Sequence, residues 1–188
     1  MPPKSKKGKS KTGPITQAGP RPRATPPHTL SAAYIFPGLH YKIITALSGD
    51  CVADSALPYF NLAGTDREAT DTYDTTIQAD FQCINQSCSE FEWSSKIVGI
   101  EILKFGDNTY NATIFNQRCK ACDALGYLRL EEDSYVARVV YRLKKWAGVK
   151  MEEQPYNPCR GGPVHASELC EGCKVGKCKY ATNFEEDY

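Results

Sequence analysis

No run of about twenty uninterrupted apolar residues occurs in the chain, so no segment reads as a membrane-spanning helix. The N-terminus also lacks the apolar stretch of a secretory signal and is charged and proline-rich instead. Acidic residues are missing from Met1 to His28, where seven cations stand: Lys4, Lys6, Lys7, Lys9, Lys11, Arg21 and Arg23. Subtracting these seven from the total of +1 leaves the rest of the chain at −6, a basic arm on an acidic body. Histidine is scarce, at three residues. There is no His-Glu-x-x-His and no phosphate loop. A zinc deaminase would need His-x-Glu followed by Pro-Cys-x-x-Cys, but His165 opens His-Ala-Ser and Pro158-Cys159 has no cysteine at the required step. These absences argue against an enzyme, a membrane protein and a small-molecule substrate, and point to a cytoplasmic or nuclear chain in a reducing compartment.

Cysteine, by contrast, is abundant at nine residues, and in a reducing compartment metal explains it better than disulfides. Cys83-Ile84-Asn85-Gln86-Ser87-Cys88 is followed, thirty residues later, by Cys119-Lys120-Ala121-Cys122. Two close pairs on tight turns, joined by a β-like span that folds back, build a tetrahedral zinc site. Downstream, His165, Cys170, Cys173 and Cys178 fall within fourteen residues, with Gly172 and Gly176 permitting tight turns, and fit a Cys3His site. Cys159 is a rival ligand there, and Cys51, with no near neighbour, reads as a free thiol. The eight ligands make two complete tetrahedral sites for two zinc ions. The spacing leaves open whether the pairs are used in sequence or interleaved. Arg118, Lys120, Lys174, Lys177 and Lys179 flank the cysteines and either favour the thiolates or are plain surface charge. A thiol redox role for Cys119-Lys120-Ala121-Cys122 would leave the other six ligands unexplained.

The chain around the ligands divides by composition. Residues 1–29 are polar and proline-rich and read as a disordered basic tail: a nuclear address, a polyanion-binding arm or a solubilising segment. In 30–72, Leu39, Ile43, Ile44 and Leu47 predict a short amphipathic helix beginning near Pro37-Gly38, with His40 as an ordinary helix residue. An acidic loop from Gly49 to about Thr76 follows. From Ile77 to Gln117, alternating Val98, Ile100 and Ile102, turn chemistry at Gly106-Asp107-Asn108, and Tyr110, Ala112 and Ile114 predict a β-hairpin. From Asp133 to Ala147 a helix is expected, capped by Asp133 or Ser134 and stopped by Gly148. Its apolar stripe is Val136, Val139, Val140, Leu143, Trp146 and Ala147. Arg138, Tyr141, Arg142 and Lys145 share an opposite arc of roughly 100°, which is either a nucleic-acid or acidic-partner surface or a solvated face. The whole reads as an α+β fold: a zinc-ribbon-like β-hairpin, one main amphipathic helix and a Cys/His-rich C-terminal zinc knuckle spanning 73–180, then an acidic tail at 181–188.

Together these pieces resemble the three-CxxC zinc-finger family, whose relatives include the zygote arrest and receptor-transporting proteins. The resemblance covers roughly Tyr73 to Lys179. It rests on Tyr73-Asp74-Thr75, Phe81-Gln82-Cys83, Trp93-Ser94-Ser95-Lys96, Asn116-Gln117-Arg118-Cys119, Tyr141 to Val149, and the His165–Cys178 cluster. The four-residue gap in the first pair resembles the fungal form, and Lys177 stands where many relatives have another His. The resemblance implies zinc binding. Its animal members are linked either to RNA or to carrying membrane receptors to the surface, and this chain lacks the membrane tail of the second group. RNA is therefore the leading expected partner, and a protein-interaction adaptor the alternative.

Overall fold

A computed structural model describes residues 30–48, 57–151 and 165–180. The basic tail, Cys51, Cys159 and the acidic tail lie outside the described residues. The elements are β1 (Ala33–Ile35), α1 (His40–Ser48), β2 (Tyr59–Phe60), β3 (Asp71–Cys83), β4 (Glu92–Lys104), β5 (Thr109–Phe115), β6 (Gly126–Leu130), α2 (Glu132–Trp146) and the single turn α3 (Glu171–Lys174). Six strands form one sheet in the order β1-β5-β4-β3-β6, and β2 pairs in parallel with β5.

The expected turn at Gly106-Asp107-Asn108 joins β4 to β5, with Asn108 at φ +60°. The hairpin before it is longer than the sequence suggested. β3 begins at Asp71, inside the stretch read as loop, and pairs with β4 from Asp71↔Lys104 to Gln82↔Glu92. A bulge interrupts the ladder between Ile77 and Ala79, where Gln78 donates its N–H to the Ser134 hydroxyl at 3.1 Å. That contact explains why Ser134 does not cap α2. Glu131 does so instead, accepting from the Ser134 N–H at 2.6 Å. At the other end Gly148 stops the helix with φ +76°.

The two helices cover one face of the sheet. Ile77, Val98, Ile100, Ile102, Ala112 and Ile114 meet Ile43 and Leu47 of α1 and Tyr135, Val139, Val140 and Leu143 of α2 in one buried core. Burying each large aliphatic side chain contributes about 1.5–3 kcal/mol. Because α1 is part of this core, residues 30–48 belong to the same folded unit as the span from 73 onward. The sequence-derived boundary at 72 falls inside β3. The helix stripe also needs adjustment, since Tyr135 and Lys144 are buried while Ala147 is exposed. His40 packs as an ordinary helix residue, its Nδ1 3.0 Å from the Tyr110 hydroxyl.

The opposite face of β4 carries Gly99 and Glu101, and the C-terminal knuckle rests there. A Cβ on Gly99 would lie 3.5 Å from Cys178 Cβ, and Gly172 packs so closely on Phe115 that a Cβ would meet its Cβ at 3.2 Å and its ring at 3.3 Å. The second cysteine cluster thus has its seat on the sheet.

Candidate metal centres

The first centre sits where two turns meet at one end of the sheet. Cys83 ends β3, Cys88 lies in the β3–β4 turn, and Cys119 and Cys122 lie in the β5–β6 turn. Backbone bonds fix the turns: Cys83 N–H to Phe91 O at 2.9 Å, Cys88 N–H to Asn85 O at 3.0 Å and Cys119 N–H to Ala124 O at 2.9 Å. Asp123, at φ +57°, closes the second turn by donating to Cys119 O at 2.8 Å. Behind the turns Phe81 and Trp93 stack with centroids 5.3 Å apart. A Cβ at Gly126 would approach both rings to 3.0 Å or less, so this position demands glycine.

The four sulfurs lie within 4.8 Å of one another, with Cys83–Cys122 and Cys88–Cys119 both at 3.6 Å. A tetrahedral ion with bonds of about 2.3 Å to sulfur sets S–S edges of about 3.8 Å, so the cluster has the right size for zinc. Burial pushes the Cys83 thiol up to about 12, while the Ala124 backbone N–H draws Cys122 down to about 7. Thiols packed within reach of one another divide charge and proton in this way, and a bound divalent cation holds all four as thiolates.

The second centre gathers His165, Cys170, Cys173 and Cys178, also within 4.8 Å. His165 Nε2 lies 3.1 Å from Cys173 Sγ and 3.7 Å from Cys178 Sγ, close to the edge of about 3.6 Å expected for mixed N and S ligands on zinc. Cys170 and Cys178 are buried against the sheet. Hydrogen bonding from Cys178 draws Cys170 down to about 4, and the same bond raises Cys178. The clusters follow chain order: the two early pairs share one centre and the His/Cys group forms the other, so the pairing is sequential and not interleaved. Each centre supplies four protein ligands, the closed set of a structural zinc site.

A family model described as a zinc-binding domain, the three-CxxC zinc ribbon, matches residues 76–176, more than half of the chain. The chain belongs to the three-CxxC zinc-ribbon family. No curated protein and no solved structure matches it.

Within this zinc ribbon the flanking cations serve the fold. Arg118, Lys120, Lys174 and Lys177 are each paired with a carboxylate: Arg118 and Lys174 with Glu171, Lys120 with Glu90, and Lys177 with Glu101. The residues that the sequence reading missed are those between the two centres. Asn116, fully buried, donates to Ser31 O at 2.8 Å and Gly126 O at 3.0 Å and accepts from the Gln117 N–H at 2.8 Å. Gln117 donates to Ile97 O at 2.8 Å and to the Ser95 hydroxyl at 3.1 Å. The run Asn116-Gln117-Arg118 ahead of Cys119 was the available signal, since three long polar side chains abutting a ligand pair need partners.

Of the four α2 residues assigned to a nucleic-acid face, Lys145 is exposed, while Arg138, Tyr141 and Arg142 are half-buried. Lys145 Nζ stands 5.1 Å from the Tyr141 ring centroid. Arg142 does not project freely from the helix. Its guanidinium carbon lies 3.3 Å from the Tyr73 ring centroid and 5.3 Å from that of Trp146, and its Nε is buried without an acceptor. The helical wheel sees only α2, whereas Tyr73 comes from β3.

Proposed function

We propose that this zinc-binding domain is a non-enzymatic binding module of the cytoplasm or nucleus, with zinc serving architecture and RNA held on the outer face of α2. The observation that carries the reading is a contrast in pairing. Lys42, Lys104, Lys120, Arg129 and Lys177 each sit against a carboxylate. Arg138 and Arg142, one turn apart on α2, have no carboxylate partner among the described residues. On a body of net −6, unpaired arginines on a single helix face suit a polyanion. Stacking on Tyr73 restricts Arg142 and reduces the entropy lost when a phosphate accepts its remaining N–H bonds. Tyr141, beside Lys145, adds a ring on which a base can stack.

The test is fluorescence anisotropy of the full chain with a single-stranded RNA at two salt concentrations. Counterion release makes affinity fall with salt, and each phosphate contact removed should flatten the slope of log K against log salt by roughly 0.7. Changing Arg138, Arg142 and Lys145 together to Gln should weaken binding and flatten the slope while both zinc ions stay bound. The adaptor reading is supported by Tyr59 and Leu62, which are 71% and 64% exposed near one edge of the sheet. It expects no RNA binding at low salt and a protein partner lost on Tyr59→Ser with Leu62→Ser.

A further inference from the structure

We propose that the two zinc centres form one cooperative unit, coupled through Arg118, so that filling either centre raises the zinc affinity of the other. The coupling element is the short backbone run from Asn116 to Cys119. On one side it pairs with the turn of the first centre: Arg118 bridges to Leu125, Gly126 donates to Gln117 O at 2.9 Å, and Cys119 donates to Ala124 O at 2.9 Å. On its other side it pairs with the knuckle of the second centre. Gln117 bridges to Cys170, Arg118 donates to Leu169 O at 2.8 Å, and Glu171 donates to Asn116 O at 3.0 Å. Cys119 of the first centre and Cys170 of the second are thereby held by one strand segment.

The Arg118 side chain spans the same gap. Its Nε donates to Glu171 Oε1 at 2.6 Å, and its Nη1 donates to Asp123 O at 2.8 Å. Asp123 follows the ligand Cys122 and Glu171 follows the ligand Cys170. One guanidinium therefore fixes the residue after a ligand in each centre. The pair with Glu171 is a charge-assisted bond between side chains only 27% and 12% exposed, where solvent screens it less than at an open surface. Asp123 takes the left-handed conformation that aspartate tolerates, φ +57°, and its carbonyl accepts from Arg118 Nη1. Cys119 and Cys122 would hold a metal that keeps this turn closed, and in the closed turn Arg118 reaches both Asp123 O and Glu171 Oε1. The knuckle has little regular structure of its own beyond the four residues of α3 and a 3-10 turn at Ser167–Leu169, so this dock is a large part of what orders it. Thermodynamic linkage makes the effect reciprocal: whatever factor the first centre gives the second, the second returns.

The experiment is zinc titration of the full chain against a chromogenic chelator, with cobalt(II) as a second probe, because its visible absorption distinguishes four sulfurs from three sulfurs and a nitrogen. Cys122→Ser disables the first centre and Cys173→Ser the second. Each should weaken zinc binding at the remaining centre, by about tenfold and by the same factor in both directions. Arg118→Gln should still bind two zinc ions, but adding Cys122→Ser to it should now weaken the second centre by a clearly smaller factor than it does with Arg118 in place, the backbone bridges carrying what remains. A sheet simply unfolded by Cys122→Ser would weaken the second centre whether or not Arg118 is present, so the Arg118 background separates coupling from collapse. Glu171→Gln, which keeps the Asp123 contact, provides the same comparison if Arg118→Gln folds poorly. Independent affinities in the single cysteine variants, or full coupling surviving in both the Arg118→Gln and Glu171→Gln backgrounds, would overturn the proposal.

Discussion

Asn116→Ala tests whether the polar segment between the zinc centres is a structural hub. The side chain is fully buried and makes three hydrogen bonds, two donated by Nδ2 to the carbonyls of Ser31 and Gly126 and one accepted by Oδ1 from the Gln117 N–H. Alanine strips the acceptor from a buried backbone donor, at about 1–3 kcal/mol, and removes two further bonds worth about 1 kcal/mol each. The lost atoms leave a small void, so the total is roughly 3–5 kcal/mol, in the upper range for a single substitution. Asn116→Asp is the control for shape. It keeps the volume but sets a carboxylate oxygen against two carbonyls and buries an uncompensated charge, so it should cost at least as much as alanine. The assay is urea unfolding followed by tryptophan fluorescence at a fixed excess of zinc, which holds the linked metal contribution constant. With a urea slope of about 2 kcal/mol/M, the alanine midpoint should fall by roughly 1.5–2.5 M. A midpoint shift below about 0.5 M, or an aspartate variant more stable than the alanine one, would refute the hydrogen-bond argument.

Elemental analysis should give two zinc ions per chain, and chelation should abolish the near-UV spectrum of the folded domain, because a structural zinc contributes on the order of 10–16 kcal/mol; one ion per chain, or an unchanged spectrum after chelation, contradicts the two-centre assignment. Cys122→Ser and Cys173→Ser should each cost metal at their own centre, whereas Cys51→Ser and Cys159→Ser should keep both ions; zinc release by Cys159→Ser alone would mean that the second ligand set is wrong. His40 should titrate below its ordinary value of 6.5 by NMR, since burial disfavours its charged form. Its folded pKa is depressed, so the stability it contributes is present above about pH 6.5 and is lost as pH falls through the folded value; a His40 titration at or above 6.5 would contradict this.

The ligand spacing, the β4–β5 turn and α2 were legible because each rests on local chemistry: sulfurs on short turns, an Asn at positive φ, and a 3.6-residue repeat. β3 was not legible over its first half. Asp71-Thr72-Tyr73-Asp74-Thr75-Thr76 has strand-forming threonines but hardly any apolar alternation, because its inward Thr75 is polar and its other face carries Asp74. β1 and β6, at three and five residues, are too short to show a period and are ordered by partners distant in sequence. The capping role given to Ser134 failed, and the aromatic seat of Arg142 was missed, for a related reason. Each stands on the expected helix, but its partner, Tyr73 or Gln78, comes from β3, and a helical projection contains no information about a neighbouring strand.

Lys177 extends this point to the second centre. In the sequence it is a position where a ligand might have stood. In the fold its ammonium lies 2.5 Å from Glu101 Oε1, on the sheet face opposite the helices. Glu101 is paired across strands with Asp74, and two carboxylates placed directly opposite repel. Burial and the neighbouring Glu101 both push the Asp74 carboxyl up, and Lys177 pulls it back down. An acidic ladder in the middle of a sheet is costly unless a cation is delivered to it. Among the described residues, no cation of the sheet pairs with Glu101. The cation arrives on the knuckle, one residue before the ligand Cys178, whose side chain packs over Gly99 on the same strand. Closing the second zinc centre therefore also places the charge that the sheet face requires, and zinc at the knuckle supports strands that bear none of its ligands.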